Sequence, residues 1–315
     1  MEAQPAKTRN WKNFYRKYRG FFYILPWIIG FIVFTAGPLI LSLVMSFFDW
    51  PITSTPTFRG LGNYVEMFTK DKQFYKSLVI TLKYAAIFVP LNMIIALFLA
   101  MLITQPVKGV KIYRTIFYIP AVVSGVAISI IWGWILNGNY GVLNYLLSLL
   151  GIEGPNWLVD PSWALLAVIL ASAFGVGTMM LIFYTDIKSI PIDLYEAASL
   201  DGASPARQFF SITLPIITPT ILFNLITSLI SSFQQLTLVM LLTNGGPLKS
   251  TYFYGMFTYN NAFKHHKLGY ASANAWVMFV IILFLTALVF KSSSAWVFYE
   301  TEAKNSKKKT KKGRK

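Results

Sequence analysis

Six apolar stretches, each at or above the roughly 20 residues that carry a helix across a bilayer, constrain this chain more than any other feature. They run approximately over residues 21–48, 77–103, 115–136, 163–185, 219–242 and 271–290, with polar or Gly/Pro-rich breaks between them. A helix rises about 1.5 Å per residue and the hydrocarbon core is about 30 Å thick, so each stretch is long enough to span. In lipid the backbone must satisfy its own hydrogen bonds, which leaves helices as the form such stretches take. Pro38, Pro90 and Pro120 fall in or near spans, where neighbouring helices satisfy the freed carbonyls. Composition agrees: 55% of the 315 residues are hydrophobic and 13% charged, against about 25% charged in a soluble domain. The expected fold is all-α, a polytopic membrane bundle of six transmembrane helices over 21–290, with a basic segment at 1–20 and a basic tail at 291–315.

Several function classes fall away. Cysteine is absent, so there is no thiolate nucleophile or Cys-ligated metal, and the only two histidines are the neighbours His265 and His266. The net charge of +16 does not indicate a nucleic-acid partner, because eight of the 28 cations lie in the run 304–315. No catalytic carboxylate pair or Ser–His set emerges, and Asp186, near the inner end of the fourth span, is the one acid available for ion coupling. Arg16, Lys17 and Arg19 resemble the basic start of a signal peptide. The apolar stretch behind them exceeds the roughly 7–15 residues of such a leader, so an uncleaved first span is expected.

Lys and Arg in the short loops set orientation. One set of segments holds Lys7, Arg9, Lys12, Arg16, Lys17, Arg19, Lys108, Lys111, Arg114, Lys188, Arg207 and the tail. The other holds Arg59, Lys70, Lys72, Lys76, Lys249, Lys264 and Lys267, with none in 137–162. Both termini are therefore expected in the cytoplasm. Lys83, the one cation within a span, lies about 9 Å from the outer end of its helix and can snorkel.

The segment 186–218 joins the fourth and fifth spans on the cytoplasmic side. Ser189-Ile190-Pro191 reads as a helix start, Asp193 and Glu196 sit near that helix's positive end, and Asp201-Gly202 is a turn. Ser204-Pro205 starts a second helix that ends near Leu214-Pro215. The product is a helix–turn–helix at the inner surface. Physics alone leaves two readings open, a plain interfacial connector and a docking element.

Glu196-Ala197-Ala198-Ser199-Leu200-Asp201-Gly202-Ala203, followed by Ile212-Thr213-Leu214-Pro215, resembles the EAA loop of permeases of binding-protein-dependent ABC importers, in full and at the expected spacing. Gly60-Leu61-Gly62-Asn63-Tyr64, Leu242-Thr243-Asn244-Gly245-Gly246-Pro247, Ala262-Phe263 and Gly269-Tyr270-Ala271-Ser272-Ala273 are similar to the sugar branch, the maltose and glycerol-phosphate type. The match covers about 60–290 and looks like the shorter, six-span version of the maltose-type large subunit.

The resemblance implies a type I ABC importer permease fold in a prokaryotic plasma membrane. It also implies a second permease subunit, two ATPase subunits that carry the ATP and Mg, an extracytoplasmic solute-binding protein and a sugar cargo. This chain has no G-x-x-x-x-G-K-[S/T] loop of its own, and Gly175-Val176-Gly177 lies inside an apolar stretch. By the same resemblance Glu196, Ala197, Ala198, Asp201 and Gly202 contact the ATPase, a helix laid in a groove.

The fifth span carries Asn224, Thr227, Ser228, Ser231, Ser232, Gln234 and Gln235. Ser228, Ser231, Ser232 and Gln235 recur at helical spacing and are expected on one face. Such a stripe serves equally as sugar-binding groups or as interhelical glue. The resemblance favours substrate contact at 231–235 and at Gly175 and Thr178, with Ser, Thr and Gln standing where the family has aromatic and Asn side chains. Trp132, Trp134, Trp157 and Trp163 read as an interfacial belt, with a sugar platform as the alternative. The loop 244–269 is either a connector or a contact for the binding protein.

Overall fold

The computed structural model describes residues 8–51, 54–105 and 108–298, with side chains from Tyr18 onward. Lys7 and the tail cations at 304–315 lie outside the described residues, as do the side chains of Arg9, Lys12, Arg16 and Lys17. In chain order the helices are α1 (Thr8–Phe31), α2 (Gly37–Met45), α3 (Gly62–Thr69), α4 (Lys72–Thr104), α5 (Val110–Val122), α6 (Gly125–Ile135), α7 (Val142–Leu149) and α8 (Pro161–Ala173). There follow α9 (Gly177–Ser189), α10 (Ile192–Leu200), α11 (Pro205–Gln208), α12 (Leu214–Ile216), α13 (Thr218–Phe233), α14 (Thr237–Leu242), α15 (Tyr254–Tyr259) and α16 (Leu268–Ser293). Widened π-helical turns over Ile32–Ala36 and Phe209–Thr213 link α1 to α2 and α11 to α12, and a third covers Asn260–Lys264. Among the described residues the strands are one antiparallel pair of two residues each, β1 (Phe48–Asp49) with β2 (Thr57–Phe58).

The chain divides into two compact units, 1–69 with 261–276, and 70–260 with 277–315. In the first, helix runs unbroken from Thr8 to Met45, so no break marks residues 20–21. After the exit, Asn63 organises the return of the chain. Its amide donates to the carbonyls of Ser46 at 2.9 Å and Phe48 at 2.8 Å, and its oxygen accepts from Arg59 at 3.1 Å. Tyr64 donates to Ser46 Oγ at 2.8 Å, and Arg59 pairs with Glu66 at 2.8 Å. Asn63 is 1% exposed. Its replacement by Ala leaves two buried carbonyls without donors, so Asn63→Ala should cost about 2–4 kcal/mol, read as a fall in detergent-solution Tm. Asn63→Asp, which accepts but does not donate, should cost at least as much.

In the second unit α4 is the spine. Asp71 caps it, accepting from the backbone N–H groups of Gln73 at 2.8 Å and Phe74 at 3.3 Å. One end packs Tyr84, Phe88 and Val89 against Val168 and Ile169 of α8, Leu238 and Val239 of α14, and Phe253 and Met256. The other packs Ala96, Ala100 and Ile103 against Met179, Met180 and Phe183 of α9 and Ile217. Ala96 and Ala100 are fully buried, as expected where helices in lipid approach through small residues.

Among the described residues three helices are long and apolar enough to cross a membrane, 18–45 within α1–α2, α4 and α16, and the count reaches six if each of three bent pairs is one span. The third span, expected over 115–136, turns by 102° between α5 and α6. Pro120 lies near the end of α5, and Ser124 caps the new helix by accepting from the N–H of Ala127 at 3.3 Å. The fourth, expected over 163–185, starts at Pro161, bends by 50° between α8 and α9 and runs on to Ser189. The fifth does not run continuously over 219–242: α13 stops at Phe233, and Leu236, at φ −129 and ψ −57, is non-helical before α14 resumes. The expected loops 137–162 and 244–269 carry α7 and α15. The Trp belt also divides. Trp157 is buried, donates to Asn144 Oδ1 at 2.6 Å and packs on Leu136 and Ala167, whereas Trp134 is 69% exposed.

Candidate functional site

Two regions of the second unit collect the residues singled out by sequence. The first is the hairpin after α9. Pro191 stands at the N-cap of α10, one residue ahead of the expected first turn, and Asp193 occupies that turn. The helix ends in a Schellman closure. The N–H of Ala203 bonds the carbonyl of Ala198 at 2.9 Å, and that of Gly202 bonds Ser199 at 3.0 Å. Gly202 takes φ +75, a left-handed conformation, and a Cβ there would meet nothing within 4 Å. Its requirement is therefore conformational and not a matter of close approach within this chain.

Ser204 caps the second limb through the N–H of Arg207 at 3.4 Å. Gln208 Nε2 reaches back to Ser199 Oγ at 2.8 Å, and the hydroxyls of Tyr195 and Thr213 meet at 2.8 Å, so the two limbs are clamped together. The second limb passes through Leu214-Pro215 and ends at Ile216. The outer surface of the clamp is apolar: Ile192 is 67% exposed, Leu200 90% and Phe210 65%. Glu196, Ala197 and Asp201 are exposed, Ala198 is half-buried, and the Glu196 carboxylate makes no hydrogen bond or ion pair among the described residues. The clamp thus presents exposed apolar and charged side chains together on one hydrogen-bonded hairpin.

The second region is where the bent spans meet. A Cβ on Gly125 would lie 3.9 Å from Thr237 Cγ2, which places the start of α6 beside the start of α14. A Cβ on Gly177 would lie 2.5 Å from the carbonyl oxygen of Phe117 and 2.8 Å from Tyr118 Cα, so α9 crosses α5 at backbone contact. Trp132 of α6 sits edge-on to Phe174 with ring centroids 5.8 Å apart. Irregular backbone at membrane depth is tolerated where it is buried in protein or lines a polar cavity.

The predicted substrate residues separate here. Gly175 lies in the α8–α9 break and Thr178 one turn beyond; both are exposed. Ser228 and Ser232 are 5% and 1% exposed and face the protein, whereas Ser231 is exposed. Ser232 donates to the carbonyl of Leu229 at 2.7 Å and Ser231 to that of Ser228 at 3.0 Å. Gln235 lies past the end of α13 and is half-buried. The four do not share one face, because 228 and 232 fall on the packed side and the helix ends before 235. The exposed polar stripe is instead Thr227, Ser231 and Gln234, at helical spacing. Gln234 falls within the expected contact stretch 231–235, and Thr227, one turn before Ser231, joins it on the exposed side.

No cluster of three metal-ligating groups occurs among the described residues. Comparison with known proteins gives the family. Residues 92–297 match the model of the binding-protein-dependent transport system inner membrane component. The chain is 44% identical over 287 residues to a probable ABC transporter permease protein, YesP, of Bacillus subtilis, covering 90% of this chain and 93% of that one. It is 31% identical to the trehalose/maltose transport system permease protein MalF of Thermococcus litoralis, covering 87% and 95%. Among solved structures, a bacterial alginate ABC transporter in complex with an alginate pentasaccharide-bound periplasmic protein aligns at TM-score 0.79 and 25% identity, over 90% of this chain and 97% of that one. The chain belongs to the binding-protein-dependent transport system inner membrane component family. It is an integral-membrane permease subunit of an ABC transporter, with ATP hydrolysis left to another chain.

Proposed function

We propose that this permease forms one half of the path through which an importer moves a sugar or oligosaccharide into the cell. A second permease supplies the other half, an extracytoplasmic binding protein delivers the cargo, and two ATPase subunits hold the ATP and Mg. Support for a carbohydrate comes from the relatives, which include a trehalose/maltose permease and an alginate transporter. The observation that carries the path is the stripe of Thr227 and Ser231 on α13 and Gln234 at its C-cap, left exposed inside an apolar span. Hydroxyl and amide groups facing lipid are costly, so such a stripe belongs on a water-filled passage or a polar partner.

Ser231→Phe tests it. In proteoliposomes fed by the importer's own binding protein, uptake should fall about tenfold or more, as a loss of one or two hydrogen bonds plus obstruction implies, while the binding protein keeps its affinity for cargo. Unchanged uptake would remove α13 from the path. The mass of the ligand that copurifies with the binding protein then decides the cargo class.

We further infer that both termini and the α10–α11 hairpin face the cytoplasm, on the Lys/Arg asymmetry of the loops. Because the chain has no cysteine, a single Ser204→Cys can be labelled in whole cells. An impermeant maleimide should reach it only after the membrane is opened, and labelling of intact cells would reverse the topology.

A further inference from the structure

The turn 247–250, between α14 and α15, takes a shape that its own residues resist. The N–H of Ser250 bonds the carbonyl of Pro247 at 2.8 Å, and the two central residues are Leu248 at φ +47 and Lys249 at φ +62. Two successive left-handed residues are the type I′ pattern, which Gly, Asn and Asp usually fill because a larger side chain crowds the backbone there. A branched apolar residue and a long cation persist in it only if their surroundings hold them. Those surroundings are on hand. Thr251, fully buried, donates to the carbonyl of Gly246 at 2.7 Å, and its hydroxyl meets that of Thr243 at 2.7 Å. The Lys249 ammonium donates to Gln73 Oε1 of α4 at 2.8 Å and stands 5.5 Å from the centre of the Tyr252 ring. What this braced turn displays is Leu248, 91% exposed.

The surface beside it is cationic. Lys72, Gln73 and Lys76 fall within about 100° of one another around α4, so the lysine held by Gln73 joins two more, with Lys70 just ahead of the helix. All four lysines are exposed, and none forms an ion pair among the described residues. Asp71, the acid amid them, caps α4. The start of a helix is its positive pole, so cations gathered there stand against the dipole and add to one field. An apolar tip beside an uncompensated positive field is complementary to an acidic surface that carries an apolar socket. A fluid bilayer anchors proteins chiefly through Trp and Tyr and asks for no fixed shape. A single Leu held out at a steric cost suits a rigid partner instead. We infer that Leu248, with Lys70, Lys72, Lys76 and Lys249 beside it, is a docking knob for an acidic face of the extracytoplasmic binding protein. This rests on the importer reading and on the orientation proposed above, which turns the start of α4 outward, and it adds the surface and the charge that receive the partner. The lysines speed and orient encounter, and burial of Leu248 holds the docked state.

The test uses the assembled importer containing the full chain, held in lipid nanodiscs, and its own binding protein, labelled and loaded with cargo. Binding to the wild type should saturate, and association should slow as salt rises. Leu248→Asp should weaken binding about tenfold or more, chiefly through faster dissociation. Leu248→Gly removes the side chain and relieves the positive φ, so it should weaken binding about tenfold while Tm in detergent holds or rises, which a folding defect does not imitate. Lys72→Glu combined with Lys76→Glu should slow association about tenfold and abolish its gain at low salt. Wild-type affinity in both Leu248 variants, or wild-type salt dependence in the charge-reversed one, overturns the knob and leaves the importer reading in place. Absence of saturable binding to the wild type overturns both. A benzophenone at position 248 should capture the binding protein. Capture of lipid or of the second permease in its stead assigns Leu248 to that partner and overturns the docking.

Discussion

An importer carrying Leu200→Asp is expected to insert, fold and accept its loaded binding protein, yet to hydrolyse ATP no faster with cargo than without. Leu200 is 90% exposed at the end of α10, so this chain's own stability loses nothing by the change. On the proposal that this hairpin docks on the ATPase, the same side chain fills a groove there. Burying a Leu there contributes about 1.5–3 kcal/mol, and forcing a carboxylate into the vacated space costs several kcal/mol more. Docking should weaken by roughly 100-fold or more, since each 1.4 kcal/mol is a factor of ten. A gate driven from 1:99 to 99:1 needs about 5.5 kcal/mol of differential binding, and such a loss removes about half of it or more.

A conformational variant sharpens the assignment. Gly202→Ala adds no clash but strains the left-handed C′ position by about 1 kcal/mol, so coupling should fall only severalfold. Glu196→Lys, reversing an exposed and unpaired carboxylate, should fall between the two. Cargo-stimulated hydrolysis at the wild-type level in Leu200→Asp would end the proposal that this hairpin couples the bundle to an ATPase.

The hairpin was legible in the sequence because every signal in it is local. Pro191 before a helical run, Gly202 at the C′ position and Ser204-Pro205 at the next cap each act on their own few residues, and the Schellman bonds fall where those residues predict. The spans were legible as apolar length, since hydropathy sums over a window and does not depend on neighbours. Their breaks were not. Gly175 and Gly177 beside Phe174 mark a weak point in the fourth span without giving its 50° turn, and Gln234-Gln235 reads as two more residues of a polar stripe until the helix is seen to stop at Phe233. Helical spacing also could not say which side of α13 is packed. That was decided by α4, which lies far off in sequence, and it set Ser228 and Ser232 inward and Ser231 outward. Trp157 misled for the same reason, because Asn144 and Leu136 bury a side chain that its sequence setting placed at an interface.

Gly175 and Gly177 show the same limit and give the sharpest structural prediction. Two residues apart and chemically identical, they read alike in sequence. A Cβ on Gly175 would meet its nearest atom, the carbonyl oxygen of Ser172, at an ordinary 3.7 Å. On Gly177 it would meet Phe117 O at 2.5 Å and Tyr118 Cα at 2.8 Å, and both are backbone, so no side chain can swing aside. Even Ala must therefore push α5 and α9 apart. The seam it opens holds Phe117 against Val176, Met180 and Phe183, and it also holds Arg114 against Tyr184. In lipid no hydrophobic force draws the helices back together, so lost van der Waals contact is not recovered. Overpacking of this kind costs about 1–3 kcal/mol, and a Val should reach or exceed the upper figure. Gly177→Ala and Gly177→Val should thus lower Tm in detergent progressively, with Gly175→Ala close to wild type. Equal effects at 175 and 177 would mean that α5 and α9 do not touch at this crossing, and the packing that holds the third and fourth spans together would have to be redrawn.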